Sequence, residues 1–461
     1  MTERQDIFGA WSVNAAVAEP LAAAARTARE MVAAGDAAGG RPGSTDAAAR
    51  GAGRGAGDSA GSGDGTGAGA GSVDTAGSGV MTHSWLLTGP PGSGRSVAAK
   101  AFATALVCDD PDVVGCGRCE QCRSVRAGTH PDVEWVSTEG MTITVDDVRA
   151  VIRSAAKMPT VARWRVVVVE DADRLGDGAA NALLKSVEEP PARTVFVLCA
   201  PSTDPHDIAV TLRSRCRHLY VPTPSPAEVE QALLADTALG LTAEQAAWAA
   251  GVSGGHIGRA RHLARDAVAR EKRATALTLP KLVYEPARLF MFTRSLVAKA
   301  GEEAAASVEE TERREREALE SSLGVGSKGK GAAKAQRGAS GQLKELEKEQ
   351  KNRRTRLLRD SLDLALIDVA GLYRDAMLIA AGAVEAAPGD DGDGHGVPVG
   401  GLMHPDMAAT SRELARRNSP EALVRCIDAV AACREALGFN VKPEVALDAM
   451  AGRLRECCRL V

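Results

Sequence analysis

Three shortages in the 461-residue sequence each remove a class of function. Aromatic side chains make up 3% of it, and the formal net charge is -4. A free-standing nucleic-acid binder needs a basic surplus, and a single-strand platform needs interleaved aromatics as well. Neither is present, so any contact with DNA is expected to be made in company. No uninterrupted apolar stretch reaches the ~20 residues that span a bilayer. The opening residues Met1 to Phe8 carry no basic segment leading into an apolar core. The expectation is a soluble, cytoplasmic protein without a membrane partner. Its length suggests about three domains of ~150 residues.

Glycine is plentiful, at 48 residues, and it is clustered. Residues 33–80 are nearly all Gly, Ala, Ser, Asp and Thr. Such a segment buries too little apolar surface to offset the entropy of ordering, and is expected to be a disordered insertion following a helical lead in residues 1–32. Stretches 324–341 and 387–400 share the composition and are expected to be flexible. Between Ser84 and Val221, the apolar runs Trp85-Leu86-Leu87, Val166 to Val169 and Val195 to Leu198 alternate with helical patterns. Continuous apolar strands separated by helices imply a parallel sheet covered on both faces. An α/β domain is therefore expected over 81–221. A small helical domain is expected over 222–275 and a larger one over 276–461, with amphipathic stretches at Leu357 to Ile379 and Pro420 to Leu437.

Gly89-Pro90-Pro91-Gly92-Ser93-Gly94-Arg95-Ser96 follows the first of these strands and opens a helix, the context of a phosphate-binding loop. The glycines let backbone N–H groups curl around phosphate oxygens, and the helix N-terminus adds partial positive charge. The match to G-x-x-x-x-G-K-[ST] is complete except at Arg95, where a lysine belongs. A guanidinium is a wide planar fork and an ammonium a compact point charge. Phosphate binding can survive that change better than transition-state geometry can. The strand Val166 to Val169 ends in Glu170-Asp171, resembling the acidic strand that holds Mg²⁺ in nucleotide hydrolases, but with the two acids in inverted order. Both departures point to lost hydrolysis. A working site, a relic and an ordinary acidic strand end all remain open on these residues.

Ten cysteines without an export signal suggest metal ligation or buried thiols rather than disulfides. Cys108, Cys116, Cys119 and Cys122 fall in a C-x₇-C-x₂-C-x₂-C pattern directly after the loop's helix. Four thiolates with no open position make a structural site, with Zn²⁺ the first candidate and an iron–sulfur centre or unligated thiols as the alternatives.

Asn181 to Pro191, reading N-A-L-L-K-S-V-E-E-P-P, resembles a run characteristic of the AAA+ clamp-loader family. Ser202-Thr203-Asp204-Pro205 resembles its sensor-one turn, and Leu212 to Cys216 its L-x-S-R-C motif. These pieces occur in family order across roughly residues 83–265. The resemblance implies a RecA-like AAA+ domain with an inserted four-cysteine module, a helical lid and a helical collar that oligomerises. It implies that Arg215 reaches the ATP site of an adjacent subunit, the alternative being a local pair with a carboxylate. It places Thr203 at sensor one and Arg259 near sensor two. Expected partners are the other loader subunits (gamma/tau and delta), with the sliding clamp and primed DNA reached through the complex. ATP and Mg²⁺ are doubtful in the chain's own site. The expected role is that of a subunit that is not itself a motor; an ATP-hydrolysing motor subunit is the alternative. The segment Ile7-Phe8-Gly9-Ala10-Trp11 departs from the family in lacking its Gly-Gln turn. A zinc module for nucleic acid on a helical scaffold would need a basic, aromatic face that is absent.

Overall fold

The computed structural model describes residues 7–8, 15–38, 81–138, 140–323, 332–384, 401–439 and 441–458. Five parallel strands, β1 (Ser84–Thr88), β2 (Val133–Val136), β3 (Arg165–Val169), β4 (Thr194–Ala200) and β5 (Arg217–Tyr220), form one sheet in the order β2-β3-β4-β1-β5. Strands β1, β3 and β4 are buried along their whole length. That burial is why they read as unbroken apolar runs. Trp85, Leu87, Val166, Val168, Val195 and Val197 face one side, with helices α1 (Ala15–Ala38) and α2 (Arg95–Val107). Leu86, Val167, Val169, Phe196 and Leu198 face the other, with α4 (Val145–Ala155) and α5 (Asp177–Glu188). Trp85 meets Phe102 of α2 edge-on at 5.1 Å between ring centres. The short helices α3 (Glu120–Ala127) and α6 (Val210–Arg213) complete this layer, which is the RecA-like α/β architecture expected.

Helices α7 (Pro226–Ala235), α8 (Ala243–Val252) and α9 (Ile257–Arg265) gather Val229, Leu233, Ala246, Ala249, Ala250 and Ala260 into a small core of their own. Capping boxes at Ser225/Glu228 and Thr242/Gln245 start the first two of these helices by satisfying their free N–H groups. Beyond α10 (Ala267–Ala276) and α11 (Leu279–Leu282), four helices build a second large core: α12 (Pro286–Ser322), α13 (Ala332–Ala380), α15 (Pro420–Gly438) and α16 (Pro443–Cys458), with α14 (Ala408–Arg417) alongside. Leu362, Leu366, Leu372 and Tyr373 of α13 are at its centre. Among the described residues, no helix is long and apolar enough to cross a membrane.

The structure extends helices into two stretches whose composition suggested flexibility. Helix α1 runs on to Ala38, six residues past the expected end of the lead. Helix α13 begins at Ala332, so 332–341 is helical. Both corrections have one cause: alanine, lysine, glutamine and arginine are strong helix formers and carry isolated glycines along. Residues 39–80, 324–331 and 387–400 lie outside the described residues. The sequence reading also missed that α12 and α13 pair far beyond the apolar core. There Glu312 meets Arg354, Glu315 pairs with Arg353 at 2.9 Å, and Gln350 donates to the Glu312 carbonyl at 3.0 Å.

One buried group holds the edge of the sheet. Asp132, fully buried before β2, accepts from Thr160 N and Oγ1, Val161 N, Ala162 N and the Arg165 guanidinium, at 2.7–3.1 Å. Burial disfavours its charge, but these donors outweigh that and hold its carboxyl below the usual range. Asp132→Ala should cost about 3–5 kcal/mol, because it strands the buried Arg165 charge. In the wild type, a depressed carboxyl means that this contribution is complete above the unfolded value of about 4 and is lost as pH falls through the lower folded value. Denaturant unfolding followed by tryptophan fluorescence across that range checks both statements.

Candidate functional site

The phosphate loop leaves β1 at the C-terminal edge of the sheet and enters α2 at Arg95. Gly89 N donates to the carbonyls of Ala200 and Pro201, tying the loop to the end of β4. A Cβ on Gly89 would lie 2.2 Å from the Val221 carbonyl oxygen, and Gly92 and Gly94 have φ of 90° and 92°. The loop is therefore built as its glycine spacing predicts. Arg95 buries one guanidinium nitrogen without a hydrogen-bond partner. Its charge acts on Asp173 beyond β3, whose carboxyl is pushed up mainly by burial and drawn back by arginines, Arg95 among them. Ser96 follows in the first turn of α2, half-buried.

Glu170 and Asp171 end β3 at the same edge. Asp171 is engaged: Arg356, from α13, donates to its carboxylate at 3.0 Å. Arg356 also pairs with Asp360 at 3.5 Å, and Asp360 with Arg174 at 3.6 Å, so four charges alternate in one chain. From the lid side, His256 caps α9 by accepting Arg259 N at 3.2 Å on Nδ1. Its ring lies against the loop, where a Cβ on Gly92 would come within 2.5 Å of it. Burial, then the nearby Arg259, hold the pKa of His256 below the usual imidazole value. Arg259 is held by both carboxylate oxygens of Asp368 on α13, at 2.5 Å. Thr203 follows β4 at the loop's edge, its carbonyl accepting from Arg213 at 2.9 Å. Asp171 is thus paired with a guanidinium, and His256 lies against Gly92.

Arg215 is placed at the other end of the sheet. Strand β5 runs parallel to β1 with Arg217 opposite Trp85, so Arg215 precedes the strands' N-terminal ends while the phosphate loop follows their C-terminal ends. A five-residue strand separates the two edges by roughly 16 Å. Arg215 is about one-third exposed; its Nε donates to Glu188 at 3.0 Å and its Nη1 to the Thr211 carbonyl at 3.0 Å. Arg215 therefore has a local carboxylate partner, as the alternative reading expected.

The sulfurs of Cys108, Cys116, Cys119 and Cys122 all lie within 4.8 Å of one another. Backbone N–H groups of Cys116, Cys119 and Cys122 donate to the sulfurs of Cys108, Cys116 and Cys119 at 3.3–3.4 Å. Gly115 and Gly117, at φ of 74° and 70°, turn the loop that closes the set. The Cys122 thiol donates to Cys108 and, with backbone donors, brings the Cys108 thiol down to about 4, while Cys122 is pushed up. Convergent sulfurs with N–H donors and no open position fit a tetrahedral metal ion. His130, nearby in sequence, is buried and turned inward, its Nδ1 accepting from Asp132 N at 3.0 Å.

The sheet order, the loop after β1, the acidic strand β3 and the helical layers that follow define a P-loop protein of the AAA+ class. Residues 73–225 match the family model described as DNA polymerase III, delta subunit. Over 145 residues the chain is 40% identical to DNA polymerase III subunit delta' of Escherichia coli, covering 31% of this chain and 43% of that one. Over 148 residues it is 38% identical to the delta' subunit of Pseudomonas aeruginosa, covering 32% and 44%. It is also 35% identical over 140 residues to DNA polymerase III subunit tau of Bacillus subtilis, covering 30% and 24%. Over this part the chain is similar to DNA polymerase III clamp-loader subunits, and it spans less than half the length of these curated relatives. The match falls on the sheet and its loops.

The residues that sequence reasoning missed, Arg356, Asp360, Asp368 and His256, all come from the helical segments. Because Asp368 is 3% exposed, removing its partner leaves a buried carboxylate uncompensated. Arg259→Ala is therefore expected to destabilise the chain by about 3 kcal/mol in chemical denaturation, with partial recovery in Arg259→Lys.

Proposed function

We propose that the chain is a clamp-loader subunit of the delta-prime kind. It would complete a ring with gamma/tau and delta subunits and help place the sliding clamp on primed DNA through that complex. It would also lend Arg215 to the ATP site of a neighbour. The observation that carries this reading is the division of labour between the two ends of one sheet. The C-terminal edge holds a phosphate loop without its lysine and an Asp171 already paired, whereas the N-terminal edge presents an outward guanidinium steadied by Glu188. A cation supplied in trans offsets charge developing on the transferred phosphoryl group. A pre-aimed arginine does this with little reorganisation.

The motor-subunit reading has support from the tau relative of Bacillus subtilis. Arg95 and the Glu170-Asp171 order weigh against it, since a motor needs both the loop cation and the metal carboxylate in working geometry. The four thiolates are proposed to hold one structural Zn²⁺, which would supply no chemistry to the reaction and would lock the loop 108–122.

Three measurements check these statements. The isolated chain should show no appreciable ATPase and should co-purify with the other loader subunits; robust turnover by the chain alone would favour the motor. Within the assembled loader, Arg215→Ala should leave assembly intact yet lower clamp-stimulated hydrolysis on the order of tenfold, less than the ~10³ of single-site fingers because several sites share the work. Arg215→Lys should rescue it poorly. Normal loading by the alanine variant would make Arg215 structural. Purified protein should contain about one zinc per chain, falling in Cys119→Ala; full metal retention in a Cys116, Cys119 double variant would place the ligands elsewhere.

A further inference from the structure

The collar holds a second group of thiols, which the clamp-loader reading does not use. Cys426, in the second turn of α15, and Cys458, in the last turn of α16, bring their sulfurs to 3.7 Å although they are 32 residues apart in sequence. Both are buried in the collar core. The contact sits where three helix ends meet. Tyr284, just before α12, bonds the Cys458 sulfur through its hydroxyl, and that oxygen accepts from the side-chain amide of Asn418, just before α15, at 2.9 Å. Arg417 covers the Tyr284 ring at 5.0 Å. Cys457, half-buried beside Cys458, also lies near Cys426.

We propose that Cys426 and Cys458 are a modification site, a thiol pair that a peroxide converts to a reversible disulfide tying the end of α16 to α15. A disulfide needs its sulfurs at about 2.0 Å, so side-chain rotation and a slight helix adjustment close the remaining gap. The two thiols are unlike. The hydrogen bond from Cys426, with a further one from Tyr284, holds the Cys458 thiol below its ordinary value against the effect of burial, whereas the same bond and burial push Cys426 up. Cys458 is therefore the attacking sulfur, since the thiolate is the nucleophile. It takes one peroxide oxygen, the O–O bond breaks, and the released hydroxide leaves as water with the thiol's proton. Cys426 then attacks that sulfur, and its own proton leaves with the displaced hydroxide as a second water. Two thiols lose two electrons, and peroxide becomes two waters. Cys458 occupies the final turn of α16, where helix ends open first, so a small oxidant reaches it without unfolding the collar. This inference goes beyond the clamp-loader reading and does not depend on it.

The test treats the full-length chain with hydrogen peroxide in native buffer, blocks the remaining thiols and maps the tryptic peptides without reduction. Cleavage after Arg425, Arg434 and Arg455 puts Cys426 and Cys433 on one peptide and Cys457 and Cys458 on another, so the bond appears as a linked pair that dithiothreitol separates. Cys108, Cys116, Cys119 and Cys122 fall on other peptides. The linked pair should persist in the Cys433→Ser, Cys457→Ser double variant and disappear in Cys458→Ser and in Cys426→Ala. Its formation should also raise the thermal unfolding midpoint by roughly 5 °C, reversed on reduction, since the bond closes a loop of about 30 residues in the unfolded chain. Absence of the pair from the treated wild type, or its loss in the double variant, would overturn the proposal. So would linkage that survives in Cys458→Ser, linkage that forms only in urea, or an oxidised chain that melts earlier than the reduced one. Circular dichroism identifies a variant that has lost its fold, and the double variant, which keeps both sulfurs, tests the pair independently of the variants that remove one.

Discussion

Helix α13 is the element on which the arrangement depends. Its apolar face, through Leu362, Leu366, Leu372 and Tyr373, is the centre of the collar core, while Arg356 and Asp368 on the same helix hold the sheet and the lid. A helix rises 1.5 Å per residue, so these two anchors lie about 18 Å apart along one rigid rod. The anchors differ in strength. The Arg259–Asp368 pair is nearly buried, and His404 adds to it by bonding the Asp368 carbonyl at 3.0 Å while reaching Arg273 at 2.9 Å. Breaking it leaves buried charge unpaired, whereas the Asp171–Arg356 pair can pass to water at lower cost. A displacement of the sheet relative to the collar would therefore part at Asp171 first, with the lid travelling with α13.

The sheet end of the molecule was legible from the sequence because its signals are local. Apolar runs gave β1, β3 and β4; the glycine spacing gave the loop; and two C-x₂-C steps gave a set of sulfurs that does converge. Arg215 was reached through its motif, and its carboxylate partner Glu188 lies in another motif already singled out. The helical end was legible only in outline. Amphipathic periodicity located α13 and α15 but says nothing about which neighbour a given charged residue meets. Arg356 and Asp368 look like ordinary solvated positions until the fold brings Asp171 and Arg259 to them across 185 and 109 residues. The same limit hid the α12–α13 extension. Its contacts are Glu–Arg and Gln pairs, which carry no apolar stripe for a periodicity argument to find.

The cysteine module has a structural reach beyond its own loop. Arg29 of α1 donates to the carbonyls of Cys108 and Pro111, at 3.4 and 3.2 Å. Ile7 donates its N–H to the Gly115 carbonyl at 2.8 Å and sets its side chain where Cβ atoms on Gly115 or Gly117 would intrude. Cys108 closes α2, the helix opened by the phosphate loop, and Cys119 caps α3. The four sulfurs thus sit where the start of the chain, the α1 layer and the far end of the loop's own helix meet. A metal ion drawn to them would fix the positions of all three, because a tetrahedral site tolerates little displacement of any ligand. Metal binding in this place would therefore act on the phosphate-loop helix from its C-terminal end while α13 acts from the acidic strand.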